Sequence, residues 1–504
     1  MIAFGGTDLA ALCDLVREQA YVVRSGDRLG VGIGGAHGHE VVAVLPPVYP
    51  EWLGDRTFTT AFGLRFPYVA GEMARGIATT EMVVRAAEAG LLGVFGSGGL
   101  EPDQVRAEVG AIAAKLGERR NWGANLLHSP GGPQLEDQVA AALIDERVPV
   151  VSASAFVALT PALVRCAVSG LRRDRDGALL RERQLVAKVS RTVVAEQFLR
   201  PAPAEILRVL RERGDISADE ADLAATTPLA TAITVEADSG GHTDGRPLTV
   251  ALPEVVALRD RLAPQVPVGA AGGIGTPEAV AAAFALGAAY VVTGSINQAA
   301  VESGISPVAR EMLSRADTGD VAMAPAADMF EQGARVQVLR RGTIFAGRAS
   351  RLYDLYRSYA SLDEVPAHEI ATLERDVFGA PLDEVWAETE RFWARRDPAQ
   401  LTRADTDPRH RMALLFRWYL GNSTTWAMTD APDRRADYQI WCGPAMGAFN
   451  AWTADTFLAD PAERDVVQIA LNLLEGAAVL TRRSQLALCG VDVPRGVRPR
   501  RLSI

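Results

Sequence analysis

The run Glu236, Ala237, Asp238, Ser239, Gly240, Gly241, His242 closes an apolar, strand-like segment over 231–235 with acid, glycine and one histidine. An imidazole at a strand tip is the group best suited to give or take a proton near neutral pH. Further along, segment 266–271 runs into Gly272 and Gly273, and segment 290–293 runs into Gly294 and Ser295. Small residues after two successive strands expose backbone N–H groups, the usual means of cradling a phosphate. A histidine after one strand and phosphate-type turns after the next two fit a phosphorylated cofactor, with flavin mononucleotide (FMN) as the first candidate. His242 then reads either as a proton donor or as a residue that orients its loop, with Asp238 and Asp244 flanking it.

Lys188 is the second signal. Lys115 and Lys188 are the only lysines among 52 basic residues, and Lys188 sits in the apolar run 185–189. An ammonium there is costly unless it is paired or faces a cavity, so Lys188 either contacts a cofactor or reaches from a strand end to solvent. Asn125, between Ala124 and Leu126, offers an amide that could serve a flavin pyrimidine edge or bond its own backbone. Ala70, Gly71, Glu72 and Met73 follow another strand-like run and would let the backbone approach a flat ring closely.

Eight short apolar runs position these groups: 67–70, 91–95, 122–127, 148–152, 185–189, 231–235, 266–271 and 290–293. Most are separated by helix-like segments such as 79–89, 102–116, 134–146 and 277–286, the alternation of a parallel TIM (β/α)8 barrel. Two further amphipathic helices, 203–214 and 218–225, mark an insertion after the fifth run. Segment 21–47 is rich in Val and Gly, and helical periodicity dominates 348–359, 368–377, 381–394, 407–420 and 462–488. The expected organisation is an α/β chain: a small β-rich N-terminal cap (1–60), the barrel (61–320), a helical substrate or lid subdomain (321–440) and closing helices (441–504).

At 504 residues, with 48% apolar and 23% charged residues, the composition is that of a folded globular chain. A formal charge of −10 argues against nonspecific nucleic-acid binding. Four scattered cysteines without CxxC spacing build neither a disulfide framework nor a metal site, and no export signal or membrane span is read, so a cytoplasmic setting is expected.

The chain resembles the PfaD family, the trans-acting enoyl reductases of polyunsaturated fatty acid and polyketide synthases, which are related to nitronate monooxygenases. The matching runs are GEMARGI (71–77), NLLHSP (125–130), SASAF (152–156), AKVS (187–190), EADSGGHTD (236–244), AAGGIGTP (270–277), TGSINQ (293–298), MAPAADMF (323–330), FRWYLG (416–421) and DYQIWCGPAMGAFN (437–450). The resemblance implies an FMN-bound barrel that uses NADPH to reduce the double bond of an enoyl thioester on an acyl carrier protein. It implies catalytic roles for His242 and Lys188. Cofactor contacts are expected from Ala70, Gly71, Glu72, Met73, Asn125, Lys188, Gly240, Gly241, Gly272, Gly273, Gly294 and Ser295. For the acidic carrier protein the candidate surface is Arg340, Arg341, Arg348 and Arg351, with Arg335 and Arg357 near; the alternative is a salt-bridged helix face. A nitronate monooxygenase-like oxidase on the same flavin, or a scaffold that has lost its flavin, are the competing readings. A homodimer is the expected assembly.

Overall fold

The structure is a computed structural model that describes residues 1–129, 132–241, 243–493 and 496–503. The chain forms two compact units. The first comprises Met1–Asp238, Asp244–Ser303 and Ala448–Ile504; the second comprises Ser239–Thr243 and Gly304–Gly447. The helical region expected over 321–440 thus lies inside a larger unit, and the segment from Ala448 rejoins the first one.

In the first unit, eight parallel strands close into a barrel: Tyr68–Gly71, Leu92–Phe95, Trp122–Leu127, Val150–Ser154, Gln184–Val189, Ala232–Glu236, Val268–Ala271 and Val291–Thr293. They coincide with the eight apolar runs of the sequence, because strands covered on both faces must be apolar throughout. Helices Thr80–Glu88, Pro102–Leu116, Pro133–Asp145 and Pro277–Ala285 alternate with them, and Thr79 and Thr276 cap two of these by accepting from Met82 and Ala279 N–H. Gly93 is glycine for packing reasons, since a Cβ there would lie 2.7 Å from the Val83 carbonyl oxygen of the covering helix.

The floor of the barrel is plugged by helix Arg56–Phe62, whose Phe58 stacks on Tyr290 at 3.8 Å between centroids. Phe58, Phe62, Val69, Val94, Val150, Val186 and Val292 share that core. Polar groups inside it are paired: Tyr290 with Thr234 at 2.8 Å, and Tyr68 with Thr293. The N-terminal cap is a four-stranded sheet that includes Ala20–Ser25 and Arg28–Ile33, and helix Val466–Leu488 packs on both the barrel and the cap. Among the described residues no helix is long and apolar enough to cross a membrane.

The second unit contains an antiparallel hairpin, Val321–Pro325 with Arg335–Leu339, followed by helices Phe345–Ser358, Leu382–Arg396, Pro398–Thr406 and Pro408–Thr429. Phe330, Phe345, Phe378, Trp386, Met412 and Phe416 form its core. The single helix expected over 368–377 is helix Ala367–Thr372 continued by a π-turn at Leu373–Phe378.

Candidate active site

Lys188 lies in the fifth strand, one residue before its end, and its ammonium is 3.2 Å from Glu72 Oε1 and 3.1 Å from Glu236 Oε1. Glu236 ends the sixth strand, the immediate neighbour in the barrel. Glu72 follows the first strand, which stands four places from the fifth around the closed ring. The Lys188–Glu72 contact therefore bridges the barrel mouth from one wall to the opposite one. Ser154, ending the fourth strand, donates to Glu72 Oε2 at 3.2 Å.

The Glu72 side chain is 4% exposed and that of Lys188 12%, so these ions have largely left water. Burial pushes the Glu72 carboxyl up from its usual value, against the pull of Lys188. The two carboxylates beside Lys188 outweigh the loss of solvent and hold its ammonium charged, with its pKa raised. Lys188 is accordingly a counterbalanced cation. The sequence gives its position, but Glu72 enters as a carboxylate partner and not only as backbone beside a ring.

Glu72 has φ 53°, a left-handed backbone unusual for glutamate, and its N–H donates to the Val94 carbonyl at 2.9 Å. Gly71 before it has φ 110°, and a Cβ there would lie 2.5 Å from the same carbonyl oxygen. The turn that aims Glu72 across the mouth thus depends on Gly71. Ala70 is fully buried in the barrel wall, and the Met73 carbonyl accepts from Ala78 at 3.1 Å inside the turn.

Asn125 is 3% exposed in the third strand, and its Oδ1 accepts from Ser97 Oγ at 2.9 Å and Gly98 N–H at 3.1 Å. The backbone donor fixes the amide orientation, so Nδ2 is the group left to offer a ligand. The side chain thus ties down a neighbouring turn, as the backbone-bonding reading expects, and its amide donor stays as the candidate ligand contact.

The turns after the last two strands differ from each other. At Gly272, φ is 90° and a Cβ would lie 2.7 Å from the Ala237 carbonyl oxygen, so glycine is required by crowding. At Gly273, φ is 71°, yet nothing lies within 4 Å of an added Cβ; the same open space exists at Gly294. Ser295 opens the short 3-10 turn Ser295–Ala299 next to it. Open space above glycine backbone at two adjacent strand ends is the room a phosphate needs.

Gly240 and Gly241 belong to the second unit, where a Cβ on Gly443 would lie 3.6 Å from the Gly240 nitrogen. They are expected among the cofactor contacts, and they fall in a different compact unit from Gly272, Gly273, Gly294 and Ser295. His242, and Pro130 at the end of the Asn125 run, lie outside the described residues. Asp244, read as a flank of His242, makes a bidentate pair with Arg191 at 2.6 and 2.7 Å, which holds its carboxyl below the usual range.

The expected basic docking face is largely neutralised. Arg348 is paired with the buried Asp437, which also accepts from Tyr419 OH at 2.7 Å. Arg351 pairs with Glu369, Arg341 is 3.1 Å from Asp320, and Arg340 donates to the Gly319 carbonyl at 3.3 Å. Arg341, Arg348 and Arg351 fit the salt-bridged alternative, each with a carboxylate beside it, whereas Arg340 is held by a carbonyl and keeps its charge.

One residue at the mouth was missed. His128 follows the third strand, its Nδ1 lies 2.9 Å from Glu136 Oε2, and its ring stacks on Phe156 at 4.9 Å. Glu136 is 3% exposed and is also bound by Ser129 N–H and Thr160 Oγ1. His128 N–H donates to the carbonyl of Ser154, the residue that touches Glu72. A histidine followed eight residues later by a glutamate at a helix start was the available signal.

Residues 178–348 match the family model of nitronate monooxygenase, and residues 359–438 match that of the inserted helical domain of [acyl-carrier-protein] S-malonyltransferase. A solved enoyl reductase domain of MlnA, from the macrolactin biosynthesis cluster of Bacillus amyloliquefaciens, is 34% identical with a TM-score of 0.83, covering 87% of this chain and 99% of that one. A polyunsaturated fatty acid synthase protein of Thraustochytrium sp. is 44% identical over 447 residues, 86% of this chain and 30% of that protein. Polyketide biosynthesis protein PksE of Bacillus subtilis is 39% identical over 481 residues, 94% of this chain and 62% of that protein. The chain thus spans less than two thirds of either of these longer relatives. An eight-stranded barrel with charged and polar groups gathered at its C-terminal mouth, and a solved enoyl reductase domain matched over almost its whole length, lead to one assignment: the chain belongs to the PfaD-like enoyl reductase family of oxidoreductases.

Proposed function

We propose that the protein is a trans-acting enoyl reductase that acts on enoyl thioesters carried by an acyl carrier protein, with FMN as resident cofactor and NADPH as hydride source. The observation that carries this reading is the meeting of three features at one barrel mouth: the Lys188–Glu72–Glu236 group, the Asn125 amide and the open glycine backbone at Gly273 and Gly294. These residues fit a phosphorylated flavin. Backbone at Gly273, Gly294 and Ser295 would hold the phosphate, while Asn125 Nδ2 and Lys188 would face the pyrimidine end of the ring. When bound, FMN supplies the hydride, taken from NADPH and passed to the β-carbon of the enoyl chain.

The chain's own residues have three tasks. Lys188 and its two carboxylates fix a rigid, ion-paired floor under the ring, which would keep bulk water from reaching it through the barrel. The glycine turns hold the cofactor's anionic end without side chains in the way. A proton must reach the substrate α-carbon, and His128, held at Nδ1 by a buried glutamate, would carry one on Nε2. His242 is the candidate that the sequence offers for the same task.

The test is optical. The purified protein should be yellow, bleach on anaerobic addition of NADPH and recover its colour with a crotonyl thioester. A colourless protein that takes up no added FMN defeats the reading. The match of residues 178–348 to nitronate monooxygenase favours an oxidase as the second reading; recovery of colour only with oxygen, together with turnover of alkyl nitronates, would establish it.

A further inference from the structure

We propose that the opposite end of the barrel carries a second binding site, an arginine-lined pocket for an organic phosphate bearing at least two negative charges. The pocket has a volume of about 610 Å³ and is bounded by Arg120, Arg147, Arg172, Leu180, Arg181 and Glu182. Arg120, Arg147 and Arg181 shortly precede the third, fourth and fifth strands, so they surround the N-terminal end of the barrel, remote from the strand ends that hold Lys188 and the glycine turns. Arg172 and Leu180 are paired across a two-stranded hairpin, Arg172–Arg173 with Leu179–Leu180, that completes the wall.

Four guanidinium groups converge here with a single carboxylate, in a chain whose formal charge is −10. Gathering like charges is unfavourable unless an anion joins them. The internal partners do not neutralise them. Arg181 donates to the carbonyls of Pro228 and Leu229, and Arg120 to the carbonyl of Glu182. Glu182 stands 3.9 Å from Arg172, a loose pair. The Arg147 side chain has no hydrogen-bond or carboxylate partner among the described residues, and its backbone is left-handed at φ 50°. Next to Arg181 and Glu182 in the chain, Arg183 is 3% exposed, with Nε and Nη1 unpartnered.

Carbonyl bonds fix Arg120, Arg172 and Arg181 in place and leave their charge in force, while Arg147 is held by none. Planar, always-charged forks arranged this way suit phosphate oxygens better than a single carboxylate, which could pair with only one or two of them. The volume lies within the roughly 300–1,000 Å³ of small-molecule sites, larger than a bare phosphate requires. A nucleoside 5′-diphosphate and inorganic pyrophosphate share the required chemistry.

Calorimetric titration of the full chain, loaded with FMN and then freed of unbound FMN, tests the site. Pyrophosphate and ADP serve as probes and citrate as a carboxylate control, on the unaltered protein and on Arg147→Glu/Arg172→Glu. The unaltered protein should bind the phosphates in preference to citrate, and charge reversal should weaken them by about tenfold or more. Tighter binding of ADP would identify a nucleotide, and equal binding the diphosphate group alone. No binding of either phosphate, equal affinity in both proteins, or citrate binding as tightly as ADP overturns the proposal. A second measurement avoids any variant that folds poorly: phenylglyoxal labelling of Arg120, Arg147 and Arg172 in the unaltered protein, mapped by peptide mass, should fall when ADP or pyrophosphate is added. Labelling that ignores both ligands overturns the site independently.

Discussion

Lys188→Met removes the cation between two carboxylates at the barrel mouth and leaves Glu72 and Glu236 facing one another. The wild-type separations are 3.2 and 3.1 Å. At such distances each contact is worth about 5 kcal/mol at an effective dielectric of about 20, before the several kcal/mol that desolvating each ion costs. Methionine is close in length to the lysine stem, so the void term is small and the loss is electrostatic. The expected destabilisation is about 3–5 kcal/mol at pH 8, the usual consequence of stripping a buried ion pair of one partner. Urea unfolding followed by tryptophan fluorescence reads it. Its pH dependence has a definite sign. In the variant the stranded carboxyl keeps its proton to higher pH when folded than when unfolded. Below about pH 4.3 both states are protonated and the deficit is small. As pH rises the unfolded chain ionises first, so the deficit grows, and it levels off once the folded carboxyl ionises too. Lys188→Met/Glu72→Gln removes the stranded charge and should regain about half of the loss. A single variant within about 0.5 kcal/mol of wild type, a deficit that shrinks with rising pH, or a double variant no more stable than the single one refutes the reasoning.

Gly294→Ala should leave the stability of the flavin-free protein within about 0.5 kcal/mol, since nothing lies within 4 Å of the added methyl, yet weaken FMN binding by about tenfold in a fluorescence titration. Arg348→Ala should cost about 2 kcal/mol in urea unfolding, because buried Asp437 loses one of its two arginine partners and keeps Arg434 at 3.3 Å, and should impair short and carrier-bound thioesters alike. Glu302 is 5% exposed, and burial beside Asp465 pushes its carboxyl up to about 7. That group's penalty is absent below its unfolded pKa and accumulates as pH rises to about 7, so the melting temperature of Glu302→Gln relative to wild type should climb across this window and then flatten. His128→Asn should lower the enoyl reduction rate about 10²-fold at unchanged flavin content, and an unchanged rate removes it as the proton carrier.

The barrel was legible because parallel strands covered on both faces leave continuous apolar runs, and all eight stand where those runs are. Lys188 was legible as an anomaly for the same reason. Its partners were not: Glu72 meets it only when the ring closes, and closure leaves no local pattern. Arg348 and Arg351 read as a basic face because they share a helix, whereas Asp437 and Glu369, which neutralise them, come from distant segments. The hairpin Val321–Pro325 was missed because its burial does not alternate and its Met323 is 46% exposed. His128 was passed over inside a turn-like run, because its value depends on the Glu136 carboxylate brought back by the following helix.

The route of the backbone has a consequence for manufacture. Helix Val466–Leu488 covers a barrel whose strands end at Thr293, and the whole helical unit is translated in between. At ribosomal speed that interval is on the order of 10 s. During it the flank that this helix will seal stands bare on the nascent polypeptide, a sticky surface awaiting its own late-arriving cover. Chaperone capture should therefore peak on ribosome-stalled intermediates cut short before Val466 and fall once Leu488 has cleared the exit tunnel.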